Sequence, residues 1–493
     1  MLSHGQVVRL IFGLKLRELR QERGLSPAEL ARSCDLSISY LNEIEKGKKY
    51  PKADKILTLS KNLDVRYDQL ISTALPRRLE PIADLLNSRL LQEFPLQLYG
   101  LEPAQLFELI ANAPAKMNAF ISTLFEIARN YELRQEHFFV AALRSYKEMH
   151  DNYFEELEQD ARAFVASHSP FDLTQLEAIL TQEYGYTVDR ATLAEYPVAA
   201  VGRLRSVFRP ATKTLLMIPS LSRGQQAFVL GRELGFNYLK LKERHYASPN
   251  PLEPRSFEEV LNNFRASYFA SVLLMDEDSL VRDLGQLFAA LTWQPAAWLA
   301  LLTRYDVSPE MLMQRLAALL PKHFGLNSLF FLRFDQAQAN APYRLTKELH
   351  LSRLHNPHAN EQHEHYCRRW VSLQLLAEGR AASAPTGQLR ILADAQRSQY
   401  LGTDDEYLCF SLARVGTATE PAMSVTIGLR CDDSLRQQVA FLADPALPLI
   451  LVNETCERCP LADCTVRAAP PSQVQHAAER AAFEAAVAAL VEG

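Results

Sequence analysis

The sequence predicts a multidomain chain, mainly α with α+β parts, and three observations carry that prediction. Its 493 residues, 48% hydrophobic and 23% charged, suffice for several separate cores. The first 75 residues hold closely spaced amphipathic segments with capping signals and read as a five-helix domain. Beyond about residue 170, short apolar runs bounded by turn residues alternate with longer helical ones, so strands join the helices there. The expected organisation is a helical head (1–75), a helical linker or dimerisation region (76–170), a mixed middle domain (171–325) and a cysteine-rich C-terminal α+β domain (326–493).

The head is the most explicit stretch. In LSPAELARSCDLSISYLNEIEKGKKYP, residues 25–51, Ser26 stands three residues before Glu29. At that spacing a hydroxyl and a carboxylate each satisfy an orphan backbone donor at a helix start. Pro27 fits the first turn, where it has no N–H to lose. Leu30 and Ala31 supply inward contacts, Ser33 to Leu36 a turn, and Ser37 a second cap. On the helix that follows, Leu41 and Ile44 share one face. Ser39, Tyr40, Asn42 and Glu43 fall on the other, free to meet base edges. Lys46, Lys48 and Lys49 leave its end, where phosphates would lie. Leu16 and Leu19 mark an amphipathic helix before this pair, ended at Gly24, and Ile56, Leu59 and Leu63 mark another after it.

Any small helical bundle shows such periodicity; charge separates a reader of polyanions from the rest. Residues 1–78 contain 15 Lys+Arg and 9 Asp+Glu, whereas the whole chain is formally −5. A basic head on an acidic body points to contact of the head alone with a polyanion. The stretch from about 9 to 72 resembles the Cro/repressor, or XRE, type of helix-turn-helix domain. That resemblance implies a two-fold double-stranded DNA operator, with Ser37, Ser39, Tyr40, Asn42, Glu43, Lys46, Lys48 and Lys49 at the interface. Pro27 stands where this type often has Gln, and offers no side-chain donor, so base readout should rest on the third helix.

No apolar run approaches the 18 or so residues needed to cross a bilayer, and MLSHGQVVRL lacks the marks of a secretory signal. Seven cysteines, three of them bunched near the end, do not form a disulfide scaffold. The expectation is a cytoplasmic protein with no membrane partner. Between 73 and 170, prolines interrupt helical periodicity, with Leu106, Leu109 and Ile110, then Phe120, Ile121, Leu124, Phe125 and Ala128, then Phe139, Leu143 and Tyr146 at three- and four-residue steps. These are core or dimer faces. A homodimer or higher even oligomer is expected, because two repressor-type heads must be held roughly 34–36 Å apart.

In the middle domain, a helix over Leu173–Tyr184 precedes strands at Tyr186–Val188, Ala199–Phe208 and Thr214–Ile218, with a turn at Arg209-Pro210. Residues 221–239 then form a helix with Phe228, Leu230 and Leu234 inward. This order, with Arg-Glu-Leu-Gly-Phe on the helix, resembles the ImmA/IrrE type of metallopeptidase domain. That family carries His-Glu-x-x-His there, two imidazoles holding zinc and a glutamate acting on the bound water. The matching positions here are Arg232, Glu233 and Phe236. Neither replacement ligates zinc, so Glu233 becomes a surface or salt-bridged carboxylate, and no enzyme activity is expected. The fold would be re-used as a ligand pocket. Arg203, Arg205, Arg209 and Lys213 lie beside the apolar Leu204, Val207, Phe208, Leu215 and Leu216 and suit phosphate groups, although each alone is ordinarily a solvated residue. On the helix at 256–275, Tyr268 is a candidate pocket lining, though such an aromatic is more often core.

Ser308 and Pro309 start a further helix with Met311, Leu312, Leu316 and Leu319 inward, and LFFLRF, 329–334, reads as a buried strand. Residues 335–365 read as a loop holding His350, His355, His358, His363 and His365, a solvated tract rather than a metal site. In NETCERCPLADCTVRAAPP, 453–471, Cys456, Cys459 and Cys464 have Cys-x2-Cys-x4-Cys spacing, from which three thiolates can converge on one centre. Zinc and an iron-sulfur cluster both usually want a fourth ligand. Cys431 is the first choice, Cys367 the alternative, and Cys409 reads as a buried small hydrophobe.

A repressor-type head, an ImmA/IrrE-like middle, Cys-x-x-Trp at 367–370, Gly-x-x-Cys at 428–431 and the cysteine loop with its Pro-Pro together resemble the short-chain fatty acyl-CoA regulators. These are bacterial transcription factors of propionate, acetate and glyoxylate metabolism. The resemblance covers nearly the whole chain. It implies that an acyl-CoA binds the middle domain as effector, and that some members carry a 4Fe-4S cluster. Two other readings stay open: a phage or toxin-antitoxin regulator, which has no need of the cysteine loop, and a residual metallopeptidase, against which Arg232 and Phe236 argue.

Overall fold

The computed structural model describes residues 4–73, 135–168, 173–196, 204–248, 254–351, 364–383, 388–417 and 420–492. The chain divides into two compact units, Met1–Tyr146 with Leu252–Leu261, and Lys147–Pro251 with Asn262–Gly493. The second unit thus holds both the expected C-terminal domain and all but a short part of the expected middle one.

Five helices make the head of the first unit: α1 (His4–Glu22), α2 (Pro27–Ser33), α3 (Ile38–Glu45), α4 (Ala53–Asn62) and α5 (Tyr67–Ile71). Their core is Phe12, Leu16, Leu19, Leu30, Ala31, Cys34, Leu41, Ile44, Ile56, Leu59, Leu63 and Leu70, which includes the apolar positions read from periodicity. Backbone approach is tight where α1 crosses the end of α3: a Cβ on Gly13 would sit 2.2 Å from the Ile44 carbonyl oxygen. Of the expected linker, α6 (Gln135–Met149) is observed with Phe139 and Tyr146 buried. The periodic positions from Leu106 to Ala128 lie outside the described residues.

The second unit contains α7 (Glu155–Ser167), α8 (Leu176–Tyr184) and a small mixed sheet of β1 (Thr187–Asp189), β2 (Ser206–Arg209), β3 (Thr214–Met217) and β4 (Ala247–Ser248), in the order β1-β3-β2-β4. β1 and β3 are parallel; the other pairs are antiparallel. Between β3 and β4 runs α9 (Arg223–Tyr238), buried from Val229 to Phe236, with Phe228 only half-buried. Such all-round burial explains its weak amphipathic pattern. α10 (Phe257–Leu274), α11 (Glu277–Ala289), α12 (Pro295–Tyr305) and α13 (Pro309–Phe324) follow. The Ser308 cap and Pro309 start of α13 are as the sequence predicts.

A six-stranded sheet then takes the order β10-β7-β8-β9-β5-β6, from β5 (Leu329–Gln336), β6 (Arg344–His350), β7 (Arg390–Tyr400), β8 (Glu406–Val415), β9 (Ala422–Arg430) and β10 (Leu449–Val452). β6 corrects the loop expected over 335–365: its alternating residues pair antiparallel with β5 at the sheet edge. His355, His358 and His363 lie outside the described residues. α14 (Val371–Ser383) packs on this sheet, burying Trp370, Leu373, Leu376, Phe330 and Tyr407 in one core. Gly428 is needed there, because a Cβ would meet the Phe330 ring at 2.1 Å. α15 (Asp433–Gln438) and a long terminal helix, α16 (Ser472–Glu492), complete the chain.

Candidate nucleic-acid interface and cysteine site

The DNA-facing element is built by local sequence chemistry. The Ser26 hydroxyl accepts from the Glu29 N–H at 3.2 Å, and the Glu29 carboxylate accepts from the Ser26 N–H at 2.8 Å, closing the predicted capping box. Asp35 takes φ +51° in the turn, a conformation that Asp tolerates better than most residues. Ser37 then caps α3, accepting from the Tyr40 N–H at 3.1 Å. Leu41 and Ile44 are fully buried, which fixes the rotation of α3 and turns Ser37, Ser39 and Asn42 to the surface, with Tyr40, Glu43 and Lys46 half-exposed beside them. Lys48 and Lys49 are exposed at the exit, where Gly47 takes φ +71° against Leu10. All eight predicted residues therefore lie on α3, its cap or its exit. Glu43 is held by Lys49 at 2.8 Å, and Lys49 also lies over the Tyr40 ring.

Two features escaped the sequence reading. Ile38 is 50% exposed at the start of α3, four residues before Asn42 on the same face, a spacing that could have revealed it. Arg20 and Glu45 form a buried pair, Nε to Oε1 2.6 Å and Nη2 to Oε2 2.9 Å, that ties the ends of α1 and α3 together. Two charges of the basic head are thus structural.

In the middle stretch Arg232, Glu233 and Phe236, the positions compared with the metallopeptidase motif in sequence, belong to a closed ion cluster with Arg244. Glu233 is 1% exposed and accepts from Arg244 at 2.6 and 2.7 Å and from the Tyr186 hydroxyl at 3.2 Å. It is salt-bridged and buried, not a surface group. The Arg244 guanidinium stacks 3.8 Å from the centre of the Phe236 ring and 4.7 Å from that of Phe208. Arg232 donates to the Ser248 hydroxyl at 2.9 Å, and burial pushes its pKa down to about 10. A guanidinium thus supplies the positive charge beside this glutamate.

The predicted ligand residues are dispersed. Arg203 lies outside the described residues. Arg209 and Lys213 are exposed at the β2–β3 turn, where Lys213 donates to the Tyr184 carbonyl at 3.1 Å. Arg205 precedes the opposite end of β2. Burial lowers its pKa, Glu310 opposes that, and the like charges of Arg333 and Arg414 add to it. Among the described residues of the expected basic patch, Arg205 is thus separated from Arg209 and Lys213 by the length of β2. Tyr268 is core rather than an open lining: its hydroxyl donates to Glu158 at 2.7 Å, and the same carboxylate holds the fully buried Arg315. Burial, then the Glu158 charge, raises its pKa.

At the C-terminal end, residues 364–367 pair with 454–457. The Cys367 N–H donates to the Glu454 carbonyl at 3.1 Å, the Cys456 N–H to the His365 carbonyl at 2.8 Å, and Glu457 accepts from the His365 backbone and ring. Arg467 donates to the Cys456 carbonyl at 2.7 Å and the Cys459 carbonyl at 3.1 Å, bracing the loop. The Ala468 N–H points at the Cys456 sulfur at 3.3 Å. Burial pushes the Cys367 thiol up to about 11, opposed by backbone N–H groups of Asn453 and Arg369, with Cys456 and Cys459 close enough to raise it further. Cys367, not the preferred Cys431, is therefore the neighbour of the loop. Cys431 is occupied elsewhere, its backbone N–H and its thiol both on Glu406. Cys409 is a buried thiol, as expected. Soft sulfur donors with backbone N–H groups aimed at them fit a thiophilic ion or cluster in chemistry. Among the described residues, no group of three or more His, Cys, Asp or Glu side chains stands at coordinating positions.

The helix-turn-helix family profile matches residues 16–70. Over 488 residues the chain is 23% identical to the HTH-type transcriptional regulator PrpR of Mycobacterium tuberculosis, covering 94% of this chain and 92% of that one. It is 25% identical to the propionyl-CoA carboxylase regulator of Cereibacter sphaeroides over 94% of this chain and 95% of that protein. The head alone is 37% identical over 65 residues to the control protein C.BamHI of Bacillus amyloliquefaciens, covering 13% of this chain and 80% of that protein. The chain therefore carries an XRE-type helix-turn-helix head, and its full-length relatives support an acyl-CoA-related family of transcriptional regulators.

Proposed function

We propose that this protein is a DNA-binding regulator of propionate and related short-chain fatty acid metabolism, which senses a short-chain acyl-CoA and transforms no substrate. The single observation that carries the reading is the capped, surface-turned α3 with its lysine exit, in a chain whose relatives along its whole length are named as transcriptional regulators. The name of one relative, a propionyl-CoA carboxylase regulator, supports propionyl-CoA metabolism as the regulated chemistry. For the phosphates of an acyl-CoA, Arg205 is the candidate within the described residues, since its neighbours Arg333 and Lys347 are already held by Glu310 at 3.0 and 2.6 Å. Cys456, Cys459 and Cys464, with Cys367 as fourth partner, would hold zinc or a 4Fe-4S cluster; such a group would supply a redox- or metal-dependent brace to the loop.

Sensing requires that the ligand bind two states of the protein with different affinity, and a differential of about 1–3 kcal/mol changes DNA affinity about 5–150-fold. The test is to titrate propionyl-CoA and acetyl-CoA against a complex of the protein with its own promoter DNA. A shift of at least about fivefold with one of them is expected; unchanged DNA affinity and unchanged transcription with both would overturn the sensing role. The peptidase alternative is disfavoured by the Glu233–Arg244 pair, which engages both carboxylate oxygens.

A further inference from the structure

We propose that the exposed face of α16 is a self-association surface, on which a second copy of this chain docks. The inference rests on the DNA-regulator reading for its biological need and on the helix itself for its chemistry.

Every side chain from Gln475 to Val491 is exposed, although the helix runs 21 residues, about 31 Å at 1.5 Å per residue. Most helices in proteins are stabilised by packing an apolar face, and from Gln475 onward this one buries none among the described residues. It nevertheless has such a face. Phe483 is 69% exposed, Leu490 83% and Val491 80%, with Val487 between them at 41%. Positions 483, 487 and 490 follow one another by four and three residues, which places them on one side of a helix. Alanines at 482, 485, 486 and 489 surround this stripe and let another backbone come close. The other end is anchored: the Gln473 N–H donates to the Glu457 carbonyl at 3.1 Å, next to the cysteine loop.

Charge and area choose the occupant. The helix carries Glu479, Glu484 and Glu492 against Arg480 alone, so neither an anionic membrane nor a nucleic acid is attracted to it. Its few charges raise little barrier to a like copy. The exposed parts of Phe483, Val487, Leu490 and Val491, taken from two copies and wholly buried, come to on the order of 1,000 Å², the lower bound for a specific interface, which the flanking alanines extend. An identical helix is self-complementary under a two-fold axis, the symmetry that a repressor-type head imposes on its operator.

The experiment uses the full chain, 55.7 kDa, in size-exclusion chromatography with light scattering across micromolar concentrations. The wild type should run at twice the chain mass, and Phe483→Glu with Leu490→Glu should shift it to the monomer or weaken dimerisation at least about tenfold. Far-UV circular dichroism and affinity for a single operator half-site should not change. The milder pair Phe483→Ser and Leu490→Ser reads the same equilibrium should the first lose fold. A monomeric wild type, or a variant that stays dimeric, would overturn the proposal while leaving the DNA reading intact. Loss of all DNA binding by the wild type would sink that reading instead, and the masses would still decide the helix.

Discussion

Glu233 and Arg244 show how a buried ion pair ties up both oxygens of a carboxylate. Both side chains are nearly sealed from water, 1% and 6% exposed, and the arginine lies between two aromatic rings. Removing one partner leaves the other charge buried and unpaired, which costs about 3–5 kcal/mol, whereas replacing both by apolar groups often costs little. Glu233→Gln should therefore lower the urea midpoint markedly, and Glu233→Leu with Arg244→Leu should recover most of the loss. Equal midpoints for the wild type and the single variant would contradict this account. The sequence shows that Glu233 lacks histidine neighbours, but not that Arg244 replaces their charge: the partner comes from the loop after α9, and side-chain contacts between a helix and a loop have no fixed spacing. Tyr268 was ambiguous for the same reason, since only the fold brings Glu158 to it across 110 residues.

At the scale of elements, the head was legible because its determinants are local. Capping boxes act over three residues, and the inward positions of α3 follow from Leu41 and Ile44, so the outward ones follow as well. That logic separates two roles on the reader helix. Lys48 is exposed beyond the helix end, where a phosphate would lie whatever the sequence. Lys48→Ala should weaken binding to specific and unrelated DNA alike and reduce the slope of log affinity against log salt by about 0.9. Asn42 is exposed on the base-facing side; Asn42→Ala should cost about 1–3 kcal/mol on the true operator and little elsewhere. Fluorescence anisotropy over a salt series measures both, and identical behaviour of the two variants would refute the division of labour. The small sheet was less legible. β2 is short and its neighbouring basic residues face different surroundings, so a cluster in sequence became a half-buried Arg205 at one end and an exposed Arg209 at the other.

The cysteine site belongs to the whole molecule, because its parts come together only when a long stretch of chain is folded between them. His365 and Glu457 lie 92 residues apart in sequence, and the intervening β7, β8 and β9 must be in register before Cys367 can meet Cys456. The Cys-x2-Cys-x4-Cys spacing reveals the loop, but a fourth partner at such a separation leaves no local mark, and in sequence Cys431 at the end of β9 is preferred to Cys367. Its engagement with Glu406, against the pairing of the Cys367 backbone with Glu454 beside the loop, favours Cys367 as the partner to test first. A ligand bound by the folded state and not by the unfolded one stabilises the fold by linkage, and closing a long loop removes unfolded-state freedom. In protein purified without oxygen, metal analysis and absorbance should therefore show loss of bound iron or zinc in Cys367→Ser, Cys456→Ser and Cys459→Ser. Cys431→Ser should keep it. The three depleted variants should also melt at lower temperature than the wild type, by an amount that a chelator reproduces in the wild type. Retained metal in Cys367→Ser together with its loss in Cys431→Ser would reverse the assignment, and wild-type protein free of both metals would remove the site altogether.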